Sequence, residues 1–262
     1  MDSQEIGEAR MIGFSCPPMC IMPLSEAAEM VLPHFGHWEI VSEARHFIPD
    51  VERDIEILQQ TTDLGISVHA PFSDINPAAF TESARKFAVS TLCEIIRVCH
   101  RLGIGPITVH PGVVGPIQRY GRENVFKLTR KSLEEIVAEV RELGVGIALE
   151  NMPAMYATIL HTAKEMEEML EGLEMGMCFD IGHANISHQI DDLLAMEKRF
   201  INMHVHDNVG GPKDQHLAIG TGKIDFSVLG KLTYRGNHII EVKSTDMAEA
   251  VTSKRYLERV LD

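Results

Sequence analysis

The stretch MGMCFDIGHANI, residues 175–186, predicts a buried strand that runs directly into a helix. Its apolar first half ends on Asp180, and His183 follows three residues later. A carboxylate at the end of a buried strand costs desolvation energy unless a partner compensates for it. Asp180 is either the N-cap of the helix or a ligand of a metal ion, and this stretch alone leaves both interpretations open.

Similar apolar segments recur along the chain, separated by amphipathic stretches. The predicted strands are MIGFS (11–15), WEIVS (38–42), GISVH (65–69), PITVH (106–110), GIALE (146–150), GMCFD (176–180), INMHV (201–205) and HIIEV (238–242). The clearest helices, residues 77–102 and 122–143, are followed by a glycine, which commonly ends a helix. Apolar strands that alternate with helices indicate a parallel sheet, and eight β/α units close a barrel. No linker-like tract interrupts them, so we predict an α/β fold: a single (β/α)8 TIM barrel as one domain over residues 1–262.

Composition limits the classes of function. The 262 residues are 45% hydrophobic, and 38 acidic against 24 basic residues give a net charge of −14, which disfavours broad attraction to nucleic acid. The apolar stretches are amphipathic and the N-terminus is acidic, so we expect neither a membrane span nor a signal peptide. Five scattered cysteines favour a reduced, cytoplasmic setting over a disulfide framework. Cys16 and Cys20 have no second pair to complete a metal site.

Polar residues stand at the ends of six consecutive predicted strands. They are His69, His110, Glu150, Asp180, His204 and Glu241. In α/β barrels the carboxyl ends of the strands form the mouth where the chemistry takes place. Each residue alone has a structural explanation, such as a cap or a salt bridge. Six in succession at one mouth favour a metal site, which also decides the question raised by Asp180.

Three further candidates lie just beyond the strand ends: His183, Asp214 and His216. The last two are two residues apart in a loop, so an extended backbone would project both to the same side. All nine candidates are imidazoles or carboxylates, a set suited to Zn²⁺, Mn²⁺ or Fe²⁺. Glu150 lies in the middle of the strand order and is therefore the natural carboxylate to bridge two metals. His206 is close to the predicted mouth and is a candidate for substrate binding.

The ordered series of motifs resembles the xylose isomerase-like TIM-barrel superfamily, which includes endonuclease IV and many sugar isomerases and epimerases. The motifs are SVHAPF (67–72), TVHPG (108–112), ALENMP (148–153), CFDIGHA (178–184), NMHVHDN (202–208), KDQHLAIGTGKIDF (213–226) and IIEVK (239–243). They extend over nearly the whole chain.

The resemblance implies a shared metal site at Glu150, Asp180, His204 and Glu241. In the epimerase branch the two glutamates, Glu150 and Glu241, also act as the catalytic acid/base pair. The endonuclease IV branch binds three zinc ions with these four residues and five more, and the corresponding positions here are His69, His110, His183, Asp214 and His216. The resemblance also matches Phe72 to an aromatic, substrate-facing position of the endonuclease branch.

The loop sequences favour a small substrate over DNA. Endonuclease IV grips DNA with basic and aromatic loops, whereas residues 42–50, SEARHFIPD, carry one arginine and two acidic side chains. We therefore predict a divalent-metal-dependent isomerase or epimerase of a sugar or sugar phosphate, with zinc favoured, up to three ions, and Mn²⁺ or Mg²⁺ as alternatives. The competing hypothesis is an endonuclease IV-like trinuclear zinc hydrolase of abasic-site DNA or a small phosphoester. A non-catalytic metal-binding barrel is the third hypothesis.

Overall fold

The computed structural model describes residues 10–262, in which eight parallel strands close into a barrel. The strands are β1 (Met11–Ser15), β2 (His37–Val41), β3 (Gly65–His69), β4 (Ile107–Val109), β5 (Ile147–Glu150), β6 (Gly176–Asp180), β7 (Phe200–Val205) and β8 (Asn237–Glu241). Each strand pairs with the next, and β8 pairs with β1 from Met11–Asn237 to Ser15–Glu241. The fold is therefore the predicted (β/α)8 TIM barrel.

Helices follow the strands. They are α1 (Leu24–Val31), α2 (Glu52–Thr61), α3 (Glu82–Leu102), α4 (Arg122–Val140), α5 (Ala163–Leu170), α6 (Ile181–Ile186), α7 (Ile190–Leu194), α8 (Ser227–Gly230) and α9 (Met247–Leu261). Gly103 ends α3 at φ +64°, a left-handed conformation that glycine adopts without strain, as the sequence predicts. The start of α3 was predicted too early, because residues 77–81 form a loop and α3 begins only at Glu82.

One apolar cluster joins the strands to the surrounding helices, while the inside of the barrel holds a buried polar layer. In this layer, Asn202 of β7 donates hydrogen bonds of 2.7 Å to Glu39 and 2.8 Å to Thr108. Ser67 of β3 donates to the same Glu39 carboxylate at 3.2 Å. Buried polar groups are tolerated when they are hydrogen-bonded, so this layer connects β2, β3, β4 and β7 beneath the mouth.

Arg85 ties α3 to α4 on the outside of the barrel. Its side chain is fully buried, and its guanidinium donates to both oxygens of Glu82 and of Glu135 and to the Ser132 hydroxyl. Such two-pronged contacts with carboxylates are the strongest that arginine makes. Among residues 10–262, no helix has the length and apolar character needed to cross a membrane.

Candidate metal centre

The fold brings all nine predicted ligand residues to the C-terminal mouth of the barrel. Five of them stand within the last two residues of their strands: His69, Glu150, Asp180, His204 and Glu241. His110 directly follows β4, which is shorter than predicted, and is half-buried. His183 lies in the first turn of α6, and Asp214 and His216 come from the long loop between β7 and α8.

Glu150 is at the centre of this cluster and is almost fully buried. Its Oε2 lies 3.4 Å from His69 Nε2 and 3.0 Å from His110 Nε2. Its Oε1 lies 3.3 Å from His183 Nδ1 and 3.2 Å from His204 Nδ1. Each oxygen of one carboxylate therefore faces its own pair of imidazoles. This division is the arrangement expected of a carboxylate that bridges two metal ions.

The ionisable groups of the cluster shift one another's pKa. Burial alone would raise the pKa of Glu150, but His204 and His110 beside it hold that pKa well below its ordinary value. Burial alone would lower the pKa of His204, yet the neighbouring Cys178, Glu39 and Glu150 raise it well above the ordinary value. The carboxylate of Glu150 is thus ionised, which is the state a metal ligand requires.

Asp180 is the N-cap of α6, and its second oxygen leaves the metal-ligand interpretation open. Its Oδ1 accepts a 2.7 Å hydrogen bond from the backbone N–H of His183 and so caps α6. Its Oδ2 is buried without a hydrogen-bond partner and lies 3.9 Å from His204 Nδ1. One oxygen therefore satisfies the start of the helix, and the other is free to bind an ion.

The ligand atoms form four groups that could each hold one metal, and within each group the atoms lie within 4.8 Å of one another. The groups are His69, His110 and Glu150; Glu150, Asp180, His204 and Glu241; His183, His206, Asp214 and His216; and His69, His204 and Glu241, a group whose members all come from the first two. Several of their atoms are buried without hydrogen-bond partners: Glu150 Oε2, Asp180 Oδ2, Asp214 Oδ1 and His216 Nδ1. Buried polar atoms normally have partners, so these orphans fit divalent ions. No cysteine joins any such group among residues 10–262.

Glu39, which the sequence analysis missed, supports the centre from below. Its Oε1 accepts a 2.7 Å hydrogen bond from His204 Nε2, and its side chain is fully buried. A carboxylate behind a histidine fixes the tautomer and the ring orientation of a metal ligand. His204 consequently presents Nδ1 to Glu150 and to Glu241, at 3.2 and 3.5 Å. The sequence pointed to Glu39 only through its position as the one carboxylate in the otherwise apolar strand segment WEIV (38–41).

Asp207, also missed, holds the loop that carries Asp214 and His216. Its buried carboxylate accepts hydrogen bonds from the backbone N–H groups of Gly220, Gly222 and Ile224, at 2.8 to 3.2 Å. A Cβ at Gly222 would overlap the Asp207 carboxylate, so only glycine permits this approach. The backbone N–H groups of the GTG turn at 220–222 therefore bind the Asp207 carboxylate.

A cavity of about 990 Å³ opens above the cluster. Its apolar walls include Pro17, Pro18, Phe72, Met152 and Met155. Lys213 and Lys243 are the basic residues of its lining within the described chain, and Lys243 Nζ lies 3.0 Å from Asp214 Oδ2.

Phe72 and His206, the two residues expected to contact substrate, are placed differently. Phe72 lines the cavity and stacks on His110 with ring centroids 5.0 Å apart. His206 is fully buried, lies behind His216 and does not line the cavity. A contact between His206 and substrate stays a prediction, and this position gives it no support.

The family model described as xylose isomerase-like TIM barrel matches residues 33–260. An uncharacterised protein of Methanocaldococcus jannaschii is 32% identical over 252 residues, which cover 91% of this chain and 85% of that protein. A probable endonuclease 4 of Acholeplasma laidlawii is 30% identical over 189 residues, and the match covers 64% of this chain and 62% of that protein. The chain therefore spans less than two thirds of the endonuclease.

A crystal structure of a D-tagatose 3-epimerase-like protein superposes with a TM-score of 0.86 at 32% identity, covering 96% of this chain and 97% of that one. Both activities that the sequence left open are thus named among the relatives, which support an enzyme of this superfamily. The chain belongs to the xylose isomerase-like TIM-barrel family.

Proposed function

We propose that this chain is a single-domain, zinc-dependent cytoplasmic enzyme that hydrolyses a phosphoester at a three-metal centre. The observation that carries the proposal is the division of the Glu150 oxygens between two histidine pairs. An acid/base glutamate of an epimerase needs an oxygen left free for the substrate proton. Here both oxygens face candidate metal ligands, which suits a bridging role.

Divalent ions, if held by these groups, would supply hydroxide at neutral pH and would neutralise the charge on the leaving oxygen. The role of the chain is to place them. Glu150, which lies between two histidine pairs, would orient the attacking water. Asp180 and Glu241 complete the group around His204, and Glu39 keeps His204 in the tautomer that presents Nδ1.

The cavity favours a small phosphoester over DNA. Lys213 and Lys243 are two basic residues among twenty-two that line it, and the whole chain has a net charge of −14. Binding of a DNA backbone depends on many Lys and Arg contacts with phosphates. The apolar walls at Phe72 and Met152 fit the organic part of a small substrate. Abasic-site DNA, as implied by the endonuclease relatives, is the less favoured substrate.

Sugar isomerisation or epimerisation is the second candidate. The 32% identity and TM-score of 0.86 to an epimerase-like protein favour it, and so does the largely apolar cavity. In that reaction Glu150 and Glu241 would exchange a proton with the substrate carbon, and a metal would hold adjacent oxygens. This route requires one ion, with the histidines around Glu150 Oε2 left without metal.

Elemental analysis of protein purified without a tag or chelator separates the candidates. We expect close to three zinc ions per chain, together with zinc-dependent release of alcohol from small phosphodiesters and phosphomonoesters. The assay panel also includes abasic-site DNA and a set of ketoses with their phosphates. One exchangeable ion with turnover of a ketose would replace the hydrolase by the epimerase.

Glu150→Gln tests the residue itself. We expect loss of activity on the substrate identified by the panel while the protein still unfolds cooperatively. Asp74→Asn, at an exposed acid on the loop after β3, is the matched control and should retain activity. Turnover by the Glu150 variant close to that of the unmodified protein would exclude its proposed role.

A further inference from the structure

Lys243 is a basic residue at the mouth of the barrel that is not a candidate metal ligand. It follows Glu241, the last residue of β8, by two residues, and its side chain lines the cavity above the cluster. The exposed fraction of that side chain is 47%. A lysine in this position presents a positive charge to a molecule that enters the cavity.

Two hydrogen bonds to Asp214 fix the position of this charge. Lys243 Nζ donates to the backbone carbonyl of Asp214 at 2.7 Å and to Oδ2 of the same residue at 3.0 Å. A lysine ammonium has three N–H donors, which can turn toward different acceptors. Asp214 uses two of them, so one is left for an acceptor in the cavity. The contact with the carbonyl would hold Lys243 in place even if the Asp214 carboxylate bound an ion.

The positive charge lies on one side of the cavity. Lys213, the second lysine of the lining, directly precedes Asp214 in the loop after β7. Phe72 comes from the loop after β3, and β3 and β7 lie on opposite sides of the closed ring of strands. A small phosphoester would therefore be oriented in the cavity, with its phosphate toward the lysines and its organic group toward the apolar wall.

Phosphomonoesters and phosphodiesters differ in what they offer to such a lysine. A monoester has three non-bridging oxygens and carries about −1.5 to −2 charge at pH 7, whereas a diester has two such oxygens and a single negative charge. If two of these oxygens are bound at the metal centre, only the monoester keeps a third for Lys243. Hydrogen bonds between charged groups are roughly twice as strong as neutral ones, so this third contact favours the monoester.

We propose that Lys243 binds the phosphate group of the substrate and selects phosphomonoesters over phosphodiesters. The inference rests on the proposed phosphoester hydrolysis and names the class of ester within it. A lysine that only tied the Asp214 loop in place would affect both classes equally, because it would act through the metal centre that they share. A lysine that contacts the phosphate affects mainly the ester with the additional oxygen.

The test compares the unmodified protein with Lys243→Gln, both loaded with zinc to the same measured content. Calorimetric titration with inorganic phosphate measures binding without turnover. The esters p-nitrophenyl phosphate and methyl p-nitrophenyl phosphate release the same phenol, so their kcat/KM values compare a monoester with a diester. We expect the affinity for phosphate and the kcat/KM for the monoester to fall about 10–100-fold, as for loss of a hydrogen bond between charged groups, and the kcat/KM for the diester to fall less than about threefold.

Two further variants complete the comparison. Lys243→Arg keeps the positive charge and should retain the preference for the monoester. Lys223→Gln changes an exposed lysine of the loop between β7 and α8 that does not line the cavity, and it should alter neither phosphate binding nor turnover.

Unchanged phosphate affinity in Lys243→Gln would refute the proposal, as would an equal loss of kcat/KM for both esters. Turnover of neither ester by the unmodified, zinc-loaded protein would instead contradict the proposed function. The phosphate titration would then still decide whether Lys243 binds phosphate.

Discussion

The Nε2 of His204 lies 2.7 Å from Oε1 of Glu39, and this contact connects the polar interior of the barrel to the candidate metal centre. Glu39→Gln keeps the shape of the side chain but removes its charge. We expect zinc affinity to fall about 10–100-fold, the usual cost of losing such a supporting partner. Chelator competition measures the change.

Ser67→Ala is the matched control, because it removes a neighbour that donates to Glu39 at 3.2 Å and leaves the His204 contact intact. Its effect on zinc affinity should be much smaller. Equal affinities for Glu39→Gln and the unmodified protein would mean that Glu39 only fills space in the barrel.

Asp207→Ala should release the loop that carries Asp214 and His216. The variant leaves the N–H groups of Gly220, Gly222 and Ile224 without their charged acceptor. Each hydrogen bond to a charged group contributes about 1.5–3 kcal/mol, so we expect an overall loss of a few kcal/mol after the loop relaxes. Hydrogen exchange should increase across residues 208–224 and leave β1 unchanged. An unaltered exchange pattern would show that the loop keeps its conformation without the Asp207 carboxylate.

Arg85→Met should destabilise the packing of α3 against α4 by about 2–3 kcal/mol. Breaking a buried ion pair costs about 3–5 kcal/mol, but here water reaches Glu82 and Glu135 and reduces the loss. Urea unfolding at pH 7 measures it. Lys131→Gln, at an exposed partner of Glu82, should cost less than about 1 kcal/mol.

The Arg85 contribution should also depend on pH. Hydrogen bonds from Arg85 and Lys131 lower the pKa of Glu82 from 4.5 to about 2. A carboxyl group with a lowered pKa stabilises the fold above its ordinary pKa, and this stabilisation is lost as the pH falls through the folded value. The difference between Arg85→Met and the unmodified protein should therefore shrink between pH 4.5 and pH 2. A difference that is constant with pH would contradict the charge pairing.

Burial of His238 should give folding stability a second dependence on pH, in a different pH range. Burial lowers its pKa from 6.5 to about 4, so the unfolded chain binds more protons between these values and stability rises with pH there. His238→Gln should flatten this part of the stability curve, as measured by urea unfolding at pH 5 and pH 7. His34→Gln, at an exposed histidine, is the control. An equal slope in all three proteins would exclude His238 as the source.

The barrel and the gathering of the nine ligand candidates could be predicted from sequence, because the relevant residues stand at strand ends and the barrel geometry converges on one mouth. Glu39 could not be found in that way, since it lies inside β2 and its role depends on β7 across the barrel. Asp207 was missed because its partners lie 13 to 17 residues away in an irregular loop. The start of α3 was misplaced because residues 77–81 have no local pattern that separates loop from helix.

The electrostatic field at the mouth depends on its metal content. Without metal, the carboxylates of Glu150 and Asp180, whose pKa values are lowered, are balanced by His183 and His204, whose pKa values are raised. Three divalent ions at the proposed centre would bring six positive charges in place of those protons and would make the region more attractive to anions. At physiological salt this field is screened beyond about 8 Å, while the acidic surface continues to repel polyanions. We therefore expect bound metal to attract small anions to the mouth, while the acidic surface keeps large polyanions away.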